Sequence, residues 1–180
     1  MTDYVVNEIK VYGKREDLNK FKEDVSESDQ ISFSFNKIIP MPENLSAWDK
    51  DANGDGWYHW QVENWGVKWG ESDSFLADMN TYLFYSFLNP WDAPYKIFLT
   101  LIKRYSNLDF KIITFTYLTD YLLLEIESSK GAYEIFRGYY TEVERLGNTI
   151  TDYYEMEHDF LTDIDRVIDK APVRKYQPLL

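Results

Sequence analysis

Apolar and polar residues alternate along residues 3–12, which are rich in β-branched side chains, and this predicts a strand ended by Gly13. The period then lengthens. Leu18, Phe21 and Val25 recur at helical spacing among Glu and Lys, so residues 15–25 predict an amphipathic helix. Residues 31–39 alternate again and predict a second strand, stopped by Pro40 and Pro42. Residues 41–56 carry Pro42, two glycines and several Asp and Asn, the composition of a loop. Residues 57–70 hold Trp57, Trp60, Trp65 and Trp69, and predict a short helix followed by a turn at Gly66.

Phe75, Ala77, Met79, Thr81, Leu83, Tyr85 and Phe87 alternate without a break, so residues 73–87 predict one long strand. Pro94 then opens a helix whose apolar face is Ile97 or Phe98 with Leu101, Ile102 and Tyr105. Residues 109–117 and 120–127 predict two strands joined as a hairpin. Residues 132–145 fit helix or strand, and residues 148–156 read as strand. Leu161, Ile164 and Ile168 place one apolar face on a closing helix over residues 158–169. This order of elements predicts an α+β fold of the split βαβ sandwich type, with two helices on one face of a sheet. It divides the chain into a core at 1–128, carrying a Trp-rich insertion at 41–72, and an acidic C-terminal extension at 129–180.

Composition narrows the chemistry. The 180 residues are 44% hydrophobic, enough for a real core, and 18% aromatic, with 15 Tyr and 11 Phe. That aromatic excess fits either a coding bias or ring faces exposed for a partner. With no cysteine, disulfides, thiolate catalysis and Cys-based zinc sites are excluded. No basic-plus-apolar leader and no apolar run of membrane-spanning length occurs, so the expectation is a cytoplasmic protein without membrane contact.

Net charge is −12, and residues 120–169 hold 13 acidic against 4 basic side chains, net −9. Such a field repels nucleic-acid phosphates and attracts basic protein surfaces. The acidic stretch interleaves carboxylates with rings: Glu134, Tyr139, Tyr140, Glu142, Glu144, Asp152, Tyr153, Tyr154, Glu155, Glu157, Asp159, Asp163 and Asp165. Carboxylates in rows, with aromatics between them, suit a basic nucleic-acid channel of another protein. The alternative is an ordinary solvated exterior.

Signatures of catalysis and nucleotide binding are missing: no Gly-x-Ser-x-Gly elbow, no Gly-x-x-x-x-Gly-Lys-Ser/Thr loop and no Gly-x-Gly-x-x-Gly occur. His59 and His158 are the only histidines, too far apart for a transition-metal pair in sequence. Asp49, Asp51, Asn53 and Asp55 with Gly54 match the first half of a calcium loop. The second half fails, because Trp60 stands where the bidentate Glu should be. An Asp/Asn/Gly turn without metal explains the same residues, and no cofactor is expected.

Three segments, in order, carry a resemblance. They are Asn36-Lys37-Ile38-Ile39-Pro40-Met41-Pro42-Glu43-Asn44-Leu45, then Glu63-Asn64-Trp65-Gly66-Val67-Lys68-Trp69, then Asn89-Pro90-Trp91-Asp92-Ala93-Pro94 with its helix and Tyr105-Ser106-Asn107-Leu108-Asp109-Phe110. With Asn7-Glu8-Ile9-Lys10-Val11-Tyr12-Gly13, they resemble the YubB-type ferredoxin-like family of phage, prophage and plasmid proteins. The likeness covers about the first two thirds of the chain. The segment departs from the family pattern at Gly70-Glu71 and at Leu88-Asn89-Pro90.

The resemblance implies a ferredoxin-like core and a mobile-element origin, with Trp65, Gly66, Lys68, Trp69, Trp91 and Pro94 as structural motif residues. It supplies no catalytic residues. Within the motif, Lys68 is placed to lie over an indole face. The function expected is a non-enzymatic acidic inhibitor of a host nucleic-acid-handling defence complex. Its partner would be a host protein with a basic surface, a CRISPR effector or a restriction enzyme. The alternative is a small ligand- or metal-binding domain or enzyme near the Trp cluster, using His59 and Asp55.

Overall fold

The structure, a computed structural model, describes residues 4–45, 56–116, 123–138, 142–144 and 149–151. The fold is α+β. A six-stranded antiparallel sheet runs in the order β2-β3-β1-β4-β5-β6. Its strands are β1 (Tyr4–Tyr12), β2 (Ser72–Asp78), β3 (Tyr82–Pro90), β4 (Asp109–Thr116), β5 (Leu123–Ser129) and β6 (Ala132–Gly138). Helix α1 (Arg15–Val25) follows β1, and α4 (Tyr95–Arg104) links β3 to β4. Between α1 and β2 lie the short α2 (Phe35–Ile38), a single 3-10 turn at Glu43–Leu45, and α3 (Gly56–Trp65). A separate pair, β7 (Glu142–Glu144) with β8 (Thr149–Thr151), is antiparallel.

Both long helices bury their apolar stripes on one face of the sheet. Leu18, Phe21 and Val25 of α1 and Ile97, Phe98, Leu101 and Ile102 of α4 join Ile9, Val11, Leu83, Tyr85, Phe87, Phe110, Ile112, Leu124 and Ile126 in one core. The period-2 rule for strands and the 3.6 rule for helices thus select the same set of residues. Rings dominate the centre. Phe33 stacks on Phe87 at 4.7 Å, and Phe21 meets Tyr85, Tyr105 and Phe110 edge to face. The second face also buries Val6, Glu8, Ile113, Phe115 and Glu125. There Lys111 bridges Glu125 at 3.4 Å and Glu127 at 3.2 Å.

Two strand expectations are corrected. Residues 31–39 are not a strand. Their backbone bonds go elsewhere: the Ser34 amide donates to the Val25 carbonyl at 2.8 Å, and the Phe35 amide donates to the Glu71 carboxylate at 2.8 Å. Held so, Phe33, Phe35 and Ile38 enter the core from a loop and one helical turn. Residues 73–87 are not one strand but the hairpin β2–β3. Asn80, at φ +63°, makes the turn, its amide donating to Asp78 Oδ1 at 3.2 Å. Arg15 then clamps Asp78 bidentately from α1, at 2.6 and 2.5 Å, and holds its carboxyl well below the usual carboxylate range.

The remaining described elements fall where the pattern places them. Residues 132–145, open between helix and strand, begin as strand β6, so the sheet continues past residue 128. The helix expected over 158–169 lies outside the described residues. Among the described residues no helix is long and apolar enough to cross a membrane.

One buried polar atom in the core stands out. The Tyr85 hydroxyl is the single buried side-chain N or O atom without a hydrogen-bond partner among the described residues. Burial pushes its pKa up, so it stays protonated. Tyr85→Phe removes an unsatisfied group and leaves the ring packing against Phe21 and Phe33 in place. The expected result is an unchanged or higher stability, by about 1 kcal/mol. Urea unfolding checks it, and a loss of more than that amount contradicts it.

Candidate functional site: a lysine between strained tryptophans

Helix α3 forms from residues 56–65, and its end is set by Gly66. The Gly66 amide donates to Val62 O at 3.2 Å, and φ is +89°, a conformation glycine adopts freely. The helix docks on α4: Lys96 Nζ donates to Glu63 O at 2.5 Å and to Val62 O at 3.4 Å, a cation on carbonyls at the α3 C-terminus. Trp65 turns inward, its indole N–H donating to Ile39 O at 2.9 Å and its ring meeting Phe35 and Trp60 edge to face. A Cβ on Gly66 would stand 3.0 Å from the Tyr95 ring. Gly66→Ala is therefore expected to cost about 2 kcal/mol, from strain and crowding together. Thermal unfolding measures this, and an unchanged midpoint contradicts it.

Past Gly66 the chain presents Lys68 and Trp69, and across the site stands Trp91. Lys68 Nζ lies 4.3 Å from the Trp69 ring centre, 4.5 Å from that of Trp91 and 5.8 Å from that of Tyr58. Lys68 does lie over indole faces, and one of them belongs to a distant segment. Trp69 is 45% exposed, Trp91 52% and Tyr58 37%, which makes this the densest group of exposed rings among the described residues. Pro94, the fourth motif residue here, is buried at the N-cap of α4.

Both tryptophans adopt left-handed backbone, with φ of +60° at Trp69 and +78° at Trp91. For a bulky residue this costs about 1–3 kcal/mol each. An exposed cation–π contact returns only about 0.5–1 kcal/mol. Lys68 alone does not repay the strain, so other groups must fix it.

Buried amides do so. The Gln61 side chain, buried on α3, accepts the Trp69 amide at 2.8 Å through Oε1, while its Nε2 faces Met41 Sδ at 3.8 Å. Asn89, buried at the end of β3, donates from Nδ2 to Pro90 O at 3.1 Å and Asp92 O at 2.6 Å, spanning the turn that holds Trp91. Asn7 Nδ2 donates to Asn89 Oδ1 at 2.6 Å, and Thr114 Oγ1 donates to Asn7 Oδ1 at 2.9 Å. The relay runs across the strands β4, β1 and β3 and holds from within the core the backbone turn that carries one exposed indole. Such a supported, strained surface aromatic is the architecture of a binding site.

A second polar group lies on the same helical side of the sheet. Ser34 donates to Glu27 at 2.7 Å, and Glu71 accepts the Phe35 amide. Burial foremost, with Glu27 adding repulsion, raises the Glu71 pKa to about 7, against the opposing hydrogen bonds from Phe35 and Ser34. Ser34 is fully buried, while Glu71 is half-buried and Glu27 exposed.

The other sequence-derived candidates divide by position. Glu134 is exposed on β6, opposite Glu127 of β5. Glu142 and Glu144 lie on β7, opposite Thr151 and Thr149. Tyr139, Tyr140, Asp152, Tyr153, Tyr154, Glu155, Glu157, Asp159, Asp163 and Asp165 lie outside the described residues, as do the calcium-loop candidates Asp49, Asp51, Asn53 and Asp55. Among the described residues no group of three or more His, Asp or Glu could hold a metal ion. His59 is exposed, with its ring edge-on to Tyr58 at 5.4 Å.

The motif reading singled out Lys68, Trp69 and Trp91, but it missed the residues that hold them: Gln61, Asn7, Asn89 and Thr114. A signal existed. Asn7 and Asn89 stand in the alternating series of buried apolar positions of their strands, where an amide needs a partner. Compared with known proteins, the chain matches no family model, no curated protein and no solved structure.

Proposed function

We propose that this chain is a mobile-element binding protein of the YubB type, non-enzymatic, that inhibits a host nucleic-acid-handling defence complex such as a CRISPR effector or a restriction enzyme. Its core is ferredoxin-like, a reading supported by the strand order β2-β3-β1-β4 with α1 and α4 in the two crossovers on one face. The Trp-rich segment 41–72 is an insertion between the first helix and the β2–β3 hairpin. The acidic segment from residue 129 supplies the surface that meets the partner. The setting is the host cytoplasm.

The observation that carries the reading is the pair of exposed tryptophans Trp69 and Trp91, held in strained backbone about the half-buried Lys68, set on a chain of net charge −12. Tryptophan anchors with a complementary field are what protein interfaces use for affinity and steering. Nothing in the described residues favours the enzyme reading over this one: His59 is exposed and meets only a ring.

The test is copurification of the tagged chain from bacterial lysates that carry defence systems, before and after nuclease treatment. A nucleic-acid-handling defence protein retained after nuclease, released by salt and lost on charge reversal across 142–165, is the expected result. Binding indifferent to salt and to those reversals sinks the proposal.

A further inference from the structure

Three ring faces converge on one ammonium. Trp69, Trp91 and Tyr58 surround Lys68 Nζ at 4.3, 4.5 and 5.8 Å from their centres, within the range over which a ring quadrupole attracts a cation. Among the described residues no carboxylate forms an ion pair with Lys68, although the chain carries 31 acidic residues. The ammonium is held by aromatic faces. The position is therefore a cation cage, and the chain's own lysine identifies the chemistry it accepts.

We infer that the Tyr58–Trp69–Trp91 group is a cation-recognition site for an arginine side chain of a basic protein partner, and that Lys68 is its resident occupant in the free protein. Three observations support the exchange. The two indoles are half-exposed, so a second cation can reach them. The backbone that carries them is held by Gln61 and by the Asn7–Asn89–Thr114 relay, so the two ring attachment points stay in place when the occupant leaves. Lys68 is tethered by a flexible stem and can swing into water, where an ammonium is strongly hydrated. A guanidinium is less hydrated, planar and stacks flat on an indole, so it outcompetes the lysine for the same faces. The net charge of the chain, −12, favours approach of a cationic partner. The choice of a protein arginine rests on the binding function proposed above, whereas the cage itself does not.

Isolated protein tests it. The indole N–H signals of Trp69 and Trp91, assigned with Trp69→Phe and Trp91→Phe, are followed by nitrogen-edited NMR while arginine amide is added at physiological salt. Lys68→Ala vacates the cage, and Lys68→Gln serves if the alanine variant unfolds by circular dichroism. The expected result is saturable shifts of both indoles, about tenfold tighter in the Lys68 variant than in the native chain, and lost in Trp91→Ala. Shifts that fail to saturate in the Lys68 variant, or saturation that survives Trp91→Ala, overturn the inference. Capture of a defence protein undiminished by Trp91→Ala would overturn the cage as a contact while leaving the binding function standing.

Discussion

Asn89→Ala is expected to lower the stability of the fold by about 3 kcal/mol and to release Trp91 from its left-handed turn. The amide joins two systems. Through Oδ1 it accepts from buried Asn7, which itself accepts from Thr114. Through Nδ2 it donates to the carbonyls of Pro90 and Asp92. Alanine strands the buried Asn7 amide, at a cost of about 1–3 kcal/mol before relaxation, and takes one donor from each of the Pro90 and Asp92 carbonyls, of which Pro90 O keeps the Asp92 amide at 3.0 Å. It also removes the span that holds Trp91 at φ +78°. Urea unfolding followed by circular dichroism reads the first effect, and the Trp91 indole shift reads the second. A variant as stable as the native chain, with that shift unmoved, would mean the relay is dispensable.

The second large effect is a pH dependence centred on Glu71. Its carboxyl titrates near pH 7 in the fold against an ordinary value of 4.5. Burial is the main cause, Glu27 adds repulsion, and the bond from the Phe35 amide opposes both. A carboxyl whose folded pKa is raised favours the protonated fold. Its contribution is fully present below about pH 4.5, declines as pH rises, and is lost above about pH 7. The difference is about 3 kcal/mol across that window. Glu71→Gln keeps an acceptor for the Phe35 amide and cannot ionise. The variant should match the native chain below about pH 4.5 and exceed it by up to about 3 kcal/mol at pH 8. Parallel stability curves from pH 5 to 8 would assign the slope to other groups.

Much of this fold was legible in residue order because burial follows period. Strand β1 and helices α1 and α4 carry their apolar residues on one side at the right spacing, and those residues form the core. The β2–β3 hairpin was not legible by alternation, because Met79 and Thr81 keep the period of two through the turn; only Asn80 breaks it. The Phe33–Phe35 segment failed for the opposite reason. Its alternation is real, yet its amides bond to the Val25 carbonyl at the end of α1 and to the Glu71 side chain, not to the backbone of a neighbouring strand. The candidate site was half visible. Tryptophans so placed demand packing, but their left-handed backbone depends on Gln61 and Asn89, and no local pattern encodes a bond between distant amides.

The proposed partner contact centres on the caged lysine and its tryptophans together with the acidic segment. Amide hydrogen exchange on the complex captured from lysate, compared with the free chain, tests it most directly. New protection is expected over residues 58–69 and 91–95 and within 139–165. Protection confined to the β2 edge of the sheet, with those segments exchanging as in the free chain, would contradict it.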